Sequence, residues 1–249
     1  MPRRLSVQDR VPELIQAAVK VFGEKGYRST QMADVAFEMG VRAGSLYNYV
    51  DSKEGLFALC LERMAQGPDF PLEITLPFAT PPMDVTLKRL HERIQALHRL
   101  PALDVPPRGN PSPARAEEEL RAVVGAIFGL ANRTRWGVDM IERSGREIPE
   151  LAALHNEWRA PMMARLEGFL RIRMDRGELR HVDDAWIAAR FVAETVNWFA
   201  RHRHHDRYGR RLDDAPVTAT VADLIVGAFA LGEPHTDTED SRDHTASAW

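Results

Sequence analysis

Apolar residues in this chain recur every three or four positions, which is the spacing of one buried face of an α-helix. The clearest case runs from Arg10 to Lys25, and Gly26 ends it just past a lysine. Its apolar positions are Val11, Leu14, Ile15, Ala18, Val19 and Phe22. The pattern predicts an amphipathic helix packed on a core.

The same reading predicts helices along most of the chain. Thr30 is the predicted N-cap of a second helix that ends at Gly40, a third begins near Arg42, and Ser52 caps a fourth that ends at Gly67-Pro68. Further helices are predicted over 84–99, 114–144, 149–176, 183–204 and 215–231. No segment keeps the two-residue alternation of a strand, so the predicted fold class is all-α.

Prolines divide the chain. Five of them between Gly67 and Pro82 predict an irregular connection, and five more between Pro101 and Pro113 predict a loop. We therefore expect an N-terminal helix-turn-helix head with its linking helix at 1–66 and a helical body at 67–232. Residues 233–249 are polar and acidic, and we expect a disordered tail there.

Composition restricts the class of protein. With 44% apolar and 28% charged residues the chain reads as globular, and it lacks an apolar run long enough for a signal peptide or a membrane helix. Cys60, the one cysteine, lies among apolar residues and is expected to be a buried thiol, although a catalytic thiol is the alternative. These features predict a cytoplasmic protein that does not bind a membrane.

Charge gives little support for nucleic-acid binding by itself. The net charge is −3, and residues 1–60 hold eight Lys or Arg against seven Asp or Glu. Arg3 and Arg4 could form an arm in the minor groove of DNA, but a solvated N-terminus is the simpler interpretation. DNA binding therefore has to be argued from the local arrangement of side chains.

That arrangement lies between Thr30 and Lys53. A helix of about eight residues, a turn at Gly40-Val41 and a second short helix match the plan of a helix-turn-helix, whose second helix enters the major groove. Leu46 and Val50 can anchor this second helix. Its remaining surface, with small residues, hydroxyls and an amide, suits close approach to phosphates and base edges.

Several motifs here resemble the TetR-like (tetracycline-repressor-like) family of bacterial regulators. They are Ala17-Ala18-Val19-Lys20-Val21-Phe22, Lys25-Gly26-Tyr27, Ser29-Thr30, Gly40-Val41, Gly44-Ser45-Leu46-Tyr47-Asn48-Tyr49 and Ser52-Lys53-Glu54-Gly55-Leu56. The resemblance covers residues 10–60. Val50 departs from the phenylalanine usual in the family, and Phe37 and Glu38 also depart from it.

The resemblance implies roles for individual residues. Thr30, Tyr47, Tyr49 and Lys53 would lie at the DNA backbone, whereas the bases or their phosphates would be faced by Arg42, Gly44, Ser45 and Asn48, with Ala43 allowing close approach. It also implies that the remaining helices bind an effector and form a homodimer. From the sequence, the dimer would use the last two helices, with Trp186, Arg190, Val221, Leu224, Ile225 and Ala228 at the interface, although an ordinary monomer core is the alternative.

An effector pocket is predicted in the body, and its aromatic and methionine residues suit an apolar or aromatic molecule, although each could simply be core. The predicted lining is Phe128, Trp136, Met140, Trp158, Met162, Met163, Leu166, Phe169 and Trp198. The run from Arg201 to Arg207 contains three histidines. Its arginines make a solvated helix end a better interpretation than a metal site, so no metal or cofactor is predicted.

The sequence thus favours a homodimeric transcriptional repressor that covers a palindromic operator in double-stranded DNA and is released by a small-molecule effector. Activation of transcription by the same architecture remains open. An enzyme would need a phosphate loop, a nucleophile elbow or a zinc motif, and the chain has none of these patterns. A helical adaptor whose head binds a protein instead of DNA is the second alternative.

Overall fold

The computed structural model describes residues 7–66, 74–97, 100–104, 106–107, 109–206 and 208–231. Across these ranges the chain is all-α, as predicted, and extended backbone pairs there at a single isolated bridge between Val50 and Phe78. The α-helices are α1 (Val11–Lys25), α2 (Met32–Met39), α3 (Lys53–Gln66), α4 (Met83–Leu97), α5 (Pro113–Ser144), α6 (Pro149–Asp175), α7 (Ala185–Ala200) and α8 (Asp214–Phe229). A 3₁₀ helix, Ala43–Asn48, lies between α2 and α3; we call it the recognition helix.

The observed helix boundaries are close to the predicted ones, because the residues expected to begin and end helices do so. Gly26 and Gly40 end α1 and α2 with positive φ angles of 82° and 71°. Ser52 accepts a hydrogen bond from the backbone N–H of Gly55, which confirms it as the N-cap of α3. The predictions for Arg3, Arg4, the segment 67–73 and the tail 233–249 lie outside the described residues.

Two predicted irregular segments have more structure than expected. Over Pro101–Asp104 the loop prediction is wrong, because these residues form a 3₁₀ helix that buries Leu103. Residues 74–82 form no regular element, but they attach to the head: the Phe78 N–H donates to Tyr49 O at 2.7 Å, and the Asp51 N–H donates to Phe78 O at 3.3 Å. The described part of the connection is therefore bound to the helix-turn-helix.

The head and the body share a hydrophobic core. The buried face of α1 includes Leu14, Ala18 and Phe22, and it belongs to the same cluster as Met140 and Ile141 of α5. The two helices are in contact at Gly23, where a Cβ would lie 3.6 Å from the backbone nitrogen of Met140, an ordinary van der Waals distance. Trp158 of α6 belongs to the same cluster, and α6 packs against α4. The head is therefore held mainly against α5, through the core that they share.

A second core lies inside the body, where α5, α6, α7 and α8 pack together. Its centre contains Leu120, Leu166 and Val192, all fully buried. Pro161 interrupts the hydrogen-bond ladder of α6 at the level where this helix passes between the two cores.

Candidate DNA-binding surface and effector cavity

One side of the recognition helix packs against the head core, and the opposite side is exposed to solvent. Leu46 and Val50 have no exposed surface, because both lie in the head core. The opposite side presents Arg42, Ala43, Gly44, Tyr47 and Asn48 to solvent, and Ser45 is half-buried. The tyrosine at position 47 is 54% exposed. This is the surface predicted to face DNA.

Tyr49 differs from its prediction, because it is only 5% exposed and packs in the head core. A 3₁₀ helix has three residues per turn, so Tyr49 follows the buried Leu46 on the same edge. The family resemblance placed this ring at the DNA backbone, although Tyr49 alone was open to interpretation as a half-buried aromatic residue. In this structure Tyr49 supports the recognition helix from within.

Thr30 also differs from its prediction. The N-cap of α2 is Gln31, whose backbone N–H donates to Asp34 Oδ2 at 2.9 Å, so the assignment of Thr30 as the cap was wrong. The Thr30 hydroxyl donates instead to Gly26 O at 2.7 Å, and the residue is 1% exposed. Thr30 therefore closes the turn after α1 and is covered by protein.

Lys53 lies at the start of α3 and binds the turn between α1 and α2. Its ammonium donates to Tyr27 O at 3.1 Å and to Arg28 O at 3.4 Å, and it lies 4.7 Å from the centroid of the Tyr27 ring. The Tyr27 hydroxyl donates to Glu54 at 2.8 Å, and burial together with this bond raises the pKa of Tyr27. An ammonium has three N–H groups, so one donor remains beyond these two bonds.

The body holds the same turn from its other side. Glu147, just beyond α5, accepts a hydrogen bond from the backbone N–H of Arg28 at 2.6 Å. Glu147 also lies 3.3 Å from a Cβ built on Gly26. The turn that precedes the helix-turn-helix is therefore fixed between α3 and the end of α5.

A cavity of about 190 Å³ opens between α5, α6 and α7. Its apolar lining is Ile127, Leu130, Ala131, Val138, Trp158 and Met162. Its polar lining is Thr134, Glu142, His155, Arg159, Glu194, Asn197, Arg201 and His202. The walls are thus far more polar than the aromatic and methionine set predicted from the sequence.

Of the predicted pocket residues, Trp158 and Met162 line this cavity. The others lie elsewhere: Phe128, Met163, Leu166 and Phe169 are in the body core, Met140 is in the head core, and Trp136 and Trp198 lie partly exposed outside the lining. The residues predicted to line the pocket were all large and apolar, and most of them are buried in the two cores. The polar residues of the wall gave no periodic signal, because they lie on three separate helices.

Arg201 is the most buried charge at this cavity. Its guanidinium donates to Asp139 Oδ1 at 2.7 Å and to both carboxylate oxygens of Glu142 at 2.8 and 3.3 Å. Burial alone would lower the pKa of Arg201, but the bonds to Glu142 and Asp139 outweigh it and the pKa is raised. The end of α7 is therefore tied to α5 next to the packing site of Gly23.

The run 201–207 was expected to be a solvated helix end, and this is wrong for Arg201, which is 5% exposed. His205 lies 3.2 Å from Asp139, and His204 has its pKa lowered by burial and by the neighbouring Arg203. Within the described ranges no three His, Cys, Asp or Glu side chains gather as metal ligands. Cys60 is fully buried, as predicted, and burial raises the pKa of its thiol.

The predicted dimer residues divide into two groups. Trp186 and Leu224 are exposed, at 51% and 67%, and Arg190 is half-buried. Val221 and Ile225 were placed wrongly, because they face the body core and are almost fully buried, while Ala228 packs partly against it. Ile187 and Phe191 add to the exposed apolar surface of α7. No helix among the described residues has the length and apolar content needed to cross a membrane.

Comparison with known proteins agrees with this geometry. Residues 14–60 match the family described as "Bacterial regulatory proteins, tetR family". Over 47 residues, 19% of this chain, the sequence is 43% identical to the HTH-type transcriptional repressor KstR2 of Rhodococcus jostii. Over 55 residues, 22% of this chain, it is 40% identical to the fatty acid metabolism regulator protein of Bacillus subtilis. The matched segments span 23% and 28% of those two relatives.

Structural similarity to solved proteins extends over most of the chain. The ketosteroid transcriptional regulator KstR2 of Mycobacterium tuberculosis superposes with a TM-score of 0.55 at 19% identity, covering 91% of this chain and 98% of that one. SCO3833 of Streptomyces coelicolor, a TetR-family member, gives a TM-score of 0.51 at 20% identity and covers 86% and 89% of the two chains. These likenesses establish the fold of head and body together.

Proposed function

We propose that the chain is a homodimeric, cytoplasmic transcriptional repressor without catalytic activity, since residues 14–60 match the family model of tetR bacterial regulatory proteins. It binds a palindromic operator in double-stranded DNA and leaves it when a small-molecule effector occupies the body. The observation that carries this proposal is the exposed face of the recognition helix above its buried anchors, Leu46 and Val50. The relatives named as a repressor and as a metabolism regulator support it.

The recognition helix is suited to the major groove. Ala43 and Gly44 carry little side chain and let the backbone approach, while Arg42 and Asn48 have the donors and acceptors that read base edges. Tyr47 and Lys53 reach phosphates, and Ser45 binds a phosphate or a base. Tyr49 and Thr30 are left out of this contact set because both are buried.

The dimer forms through the exposed side of α7 and α8. Trp186, Ile187, Phe191 and Leu224 offer an apolar surface there, and two helices from each subunit make a four-helix interface. Such a dimer holds two recognition helices about 34–36 Å apart, which matches successive major grooves. The head (1–66) and the body (67–232) divide these tasks.

Selection from random duplex DNA tests the proposal directly. The purified full chain should enrich a palindromic motif, and the affinity for that motif should fall steeply across a salt series because bound phosphates release counterions. Weak binding that salt does not change would refute DNA recognition and favour a helical adaptor that binds a protein.

The dimer has its own measurement. Replacing Ile187 with Glu should convert the dimer to a monomer in sedimentation, because a charge is placed in an apolar interface. The matched control is Phe37→Glu, at an exposed apolar residue on α2 far along the chain from α7. A dimer that survives Ile187→Glu and Phe191→Glu together would place the interface elsewhere.

A further inference from the structure

The cavity between α5, α6 and α7 is small and chemically divided. Its volume of about 190 Å³ lies below the ~300–1,000 Å³ typical of sites for drug-sized ligands, so it suits a compact molecule about the size of one substituted ring. Trp158 and Met162 provide an apolar wall on α6, and Ile127 and Leu130 provide one on α5. The two apolar walls offer contacts to an apolar group of a ligand.

Among the polar groups that line the cavity, hydrogen-bond donors are more available to a ligand than acceptors are. Both carboxylate oxygens of Glu142 are already engaged by Arg201, and one of them also lies 3.5 Å from His155. By contrast, within the described part of the chain, the side chain of Arg159 makes one hydrogen bond, from Nη2 to Glu194. A guanidinium has five N–H groups, so Arg159 can bind an additional acceptor.

The carboxylate that Arg159 binds can be exchanged at low cost. Oε1 of Glu194 is shared, because it also forms an ion pair with Nε of Arg190 at 3.0 Å. If a ligand carboxylate takes the place of Glu194 on Arg159, Glu194 keeps Arg190 and neither charge is left unpaired. The Asn197 side chain lines the same cavity one turn further along α7 and adds an amide donor.

We propose that this cavity binds a small organic monocarboxylate, with its carboxylate on Arg159 and its apolar body between Trp158, Met162 and Leu130. The proposal deepens the proposed function, on which it rests, by naming the chemical class of the effector. Bidentate binding of a carboxylate by arginine supplies the specificity, and the short apolar walls limit the length of the body.

Calorimetric titration of the full chain in the absence of DNA tests the proposal, with 3-phenylpropionate as the probe and 3-phenylpropionamide as its neutral isostere. We expect the carboxylate to bind at least about tenfold more tightly than the amide. Arg159→Gln should abolish this preference while still binding both compounds weakly. Arg171→Gln, on the same helix and ion-paired with Glu167, is the matched control and should keep the preference.

Equal affinities for the two compounds, no heat with the carboxylate at millimolar concentration, or a preference that survives Arg159→Gln would each overturn the proposal. Circular dichroism confirms that each variant is folded before it is titrated. Since the titration contains no DNA, a failure of operator binding leaves its result unaffected. Conversely, operator binding without a carboxylate preference refutes the ligand class and retains the regulator.

Discussion

Glu147 of the body accepts a hydrogen bond from the backbone N–H of Arg28 in the head, across 119 positions of sequence and at a distance of 2.6 Å. The bond reaches the turn that leads into the helix-turn-helix, which Lys53 holds from the other side. A shift of the end of α5 would therefore move this turn. The bond thus connects the body directly to the turn that precedes the candidate DNA-binding surface.

Glu147→Ala removes this connection. We expect a loss of about 1 kcal/mol in the free energy of unfolding, typical of one hydrogen bond to a charged group that is partly open to solvent. Hydrogen exchange should become faster at the Arg28 amide. Glu118→Ala is the control, at an exposed glutamate within α5. Unchanged protection of Arg28 would show that the turn is held without Glu147.

Arg201→Ala leaves Asp139 and Glu142 without their buried partner. We expect a destabilisation of about 3 kcal/mol, at the low end of the range for a broken buried ion pair because Glu142 is partly exposed. Denaturant unfolding measures this loss. Arg171→Ala removes an exposed arginine and should change stability by less than about 0.5 kcal/mol. Similar losses in the two variants would contradict the role of Arg201 as a tie between α5 and α7.

Tyr47 is exposed and Tyr49 is buried, so substitutions of the two tyrosines should affect DNA binding differently. Tyr47→Phe should weaken binding to every duplex, because its exposed hydroxyl is available to a phosphate. Tyr49→Phe should leave DNA affinity within about twofold, since that ring is inside the head. Anisotropy titration against the selected operator compares the two. A larger loss for Tyr49→Phe would reverse the assignment made here.

Recognition of bases by Arg42 and Asn48 is tested by comparing operator sequences. Asn48→Ala and Arg42→Ala should flatten the ranking of operator variants, with about 1–3 kcal/mol of discrimination lost at the base that each residue reads. Competition titrations against single-base operator mutants provide the ranking. If the order and spacing of the affinities stay the same, these side chains contact only the DNA backbone.

Gly55 is fitted tightly against the connection that follows α3. A Cβ at this position would lie 2.7 Å from both Asp51 Oδ1 and Thr80 Oγ1. Gly55→Ala should therefore destabilise by about 1–3 kcal/mol, as overpacking does. Gly168→Ala, in open space inside α6, should instead stabilise by about 0.5–1 kcal/mol. Thermal unfolding of both variants tests whether space, and not helix propensity, decides the sign.

Asp51 gives the head an acid-sensitive contact. The Thr80 hydroxyl and then the Thr80 backbone N–H lower the pKa of Asp51 below its usual 3.8. A lowered pKa stabilises the fold above pH 3.8, and this contribution disappears as the pH falls through the folded value. Thr80→Val should thus lower the free energy of unfolding by up to about 1 kcal/mol at pH 7, a small amount because the contact is exposed to solvent. Near pH 2 the same substitution should change it little. A loss that is the same at both pH values would contradict this linkage.

The helices could be predicted well from local features of the sequence. Gly26, Gly40 and Ser52 end or begin helices by backbone geometry and capping, both of which act over four residues or fewer. Burial within the recognition helix was harder, because the family resemblance placed Tyr49 at the DNA backbone, whereas its position three residues after Leu46 puts it in the head core. The cavity could not be predicted, since Glu142, Arg159 and Asn197 meet only after three helices pack.

The core shared by head and body restricts how this protein can be rearranged. Met140 and Ile141 of α5 complete the packing around α1, so residues 1–66 produced alone would expose an apolar surface to water. A chimaera that joins this head to a foreign body therefore needs matching residues at those two positions. An exchange of the head should carry with it the segment of α5 on which α1 packs.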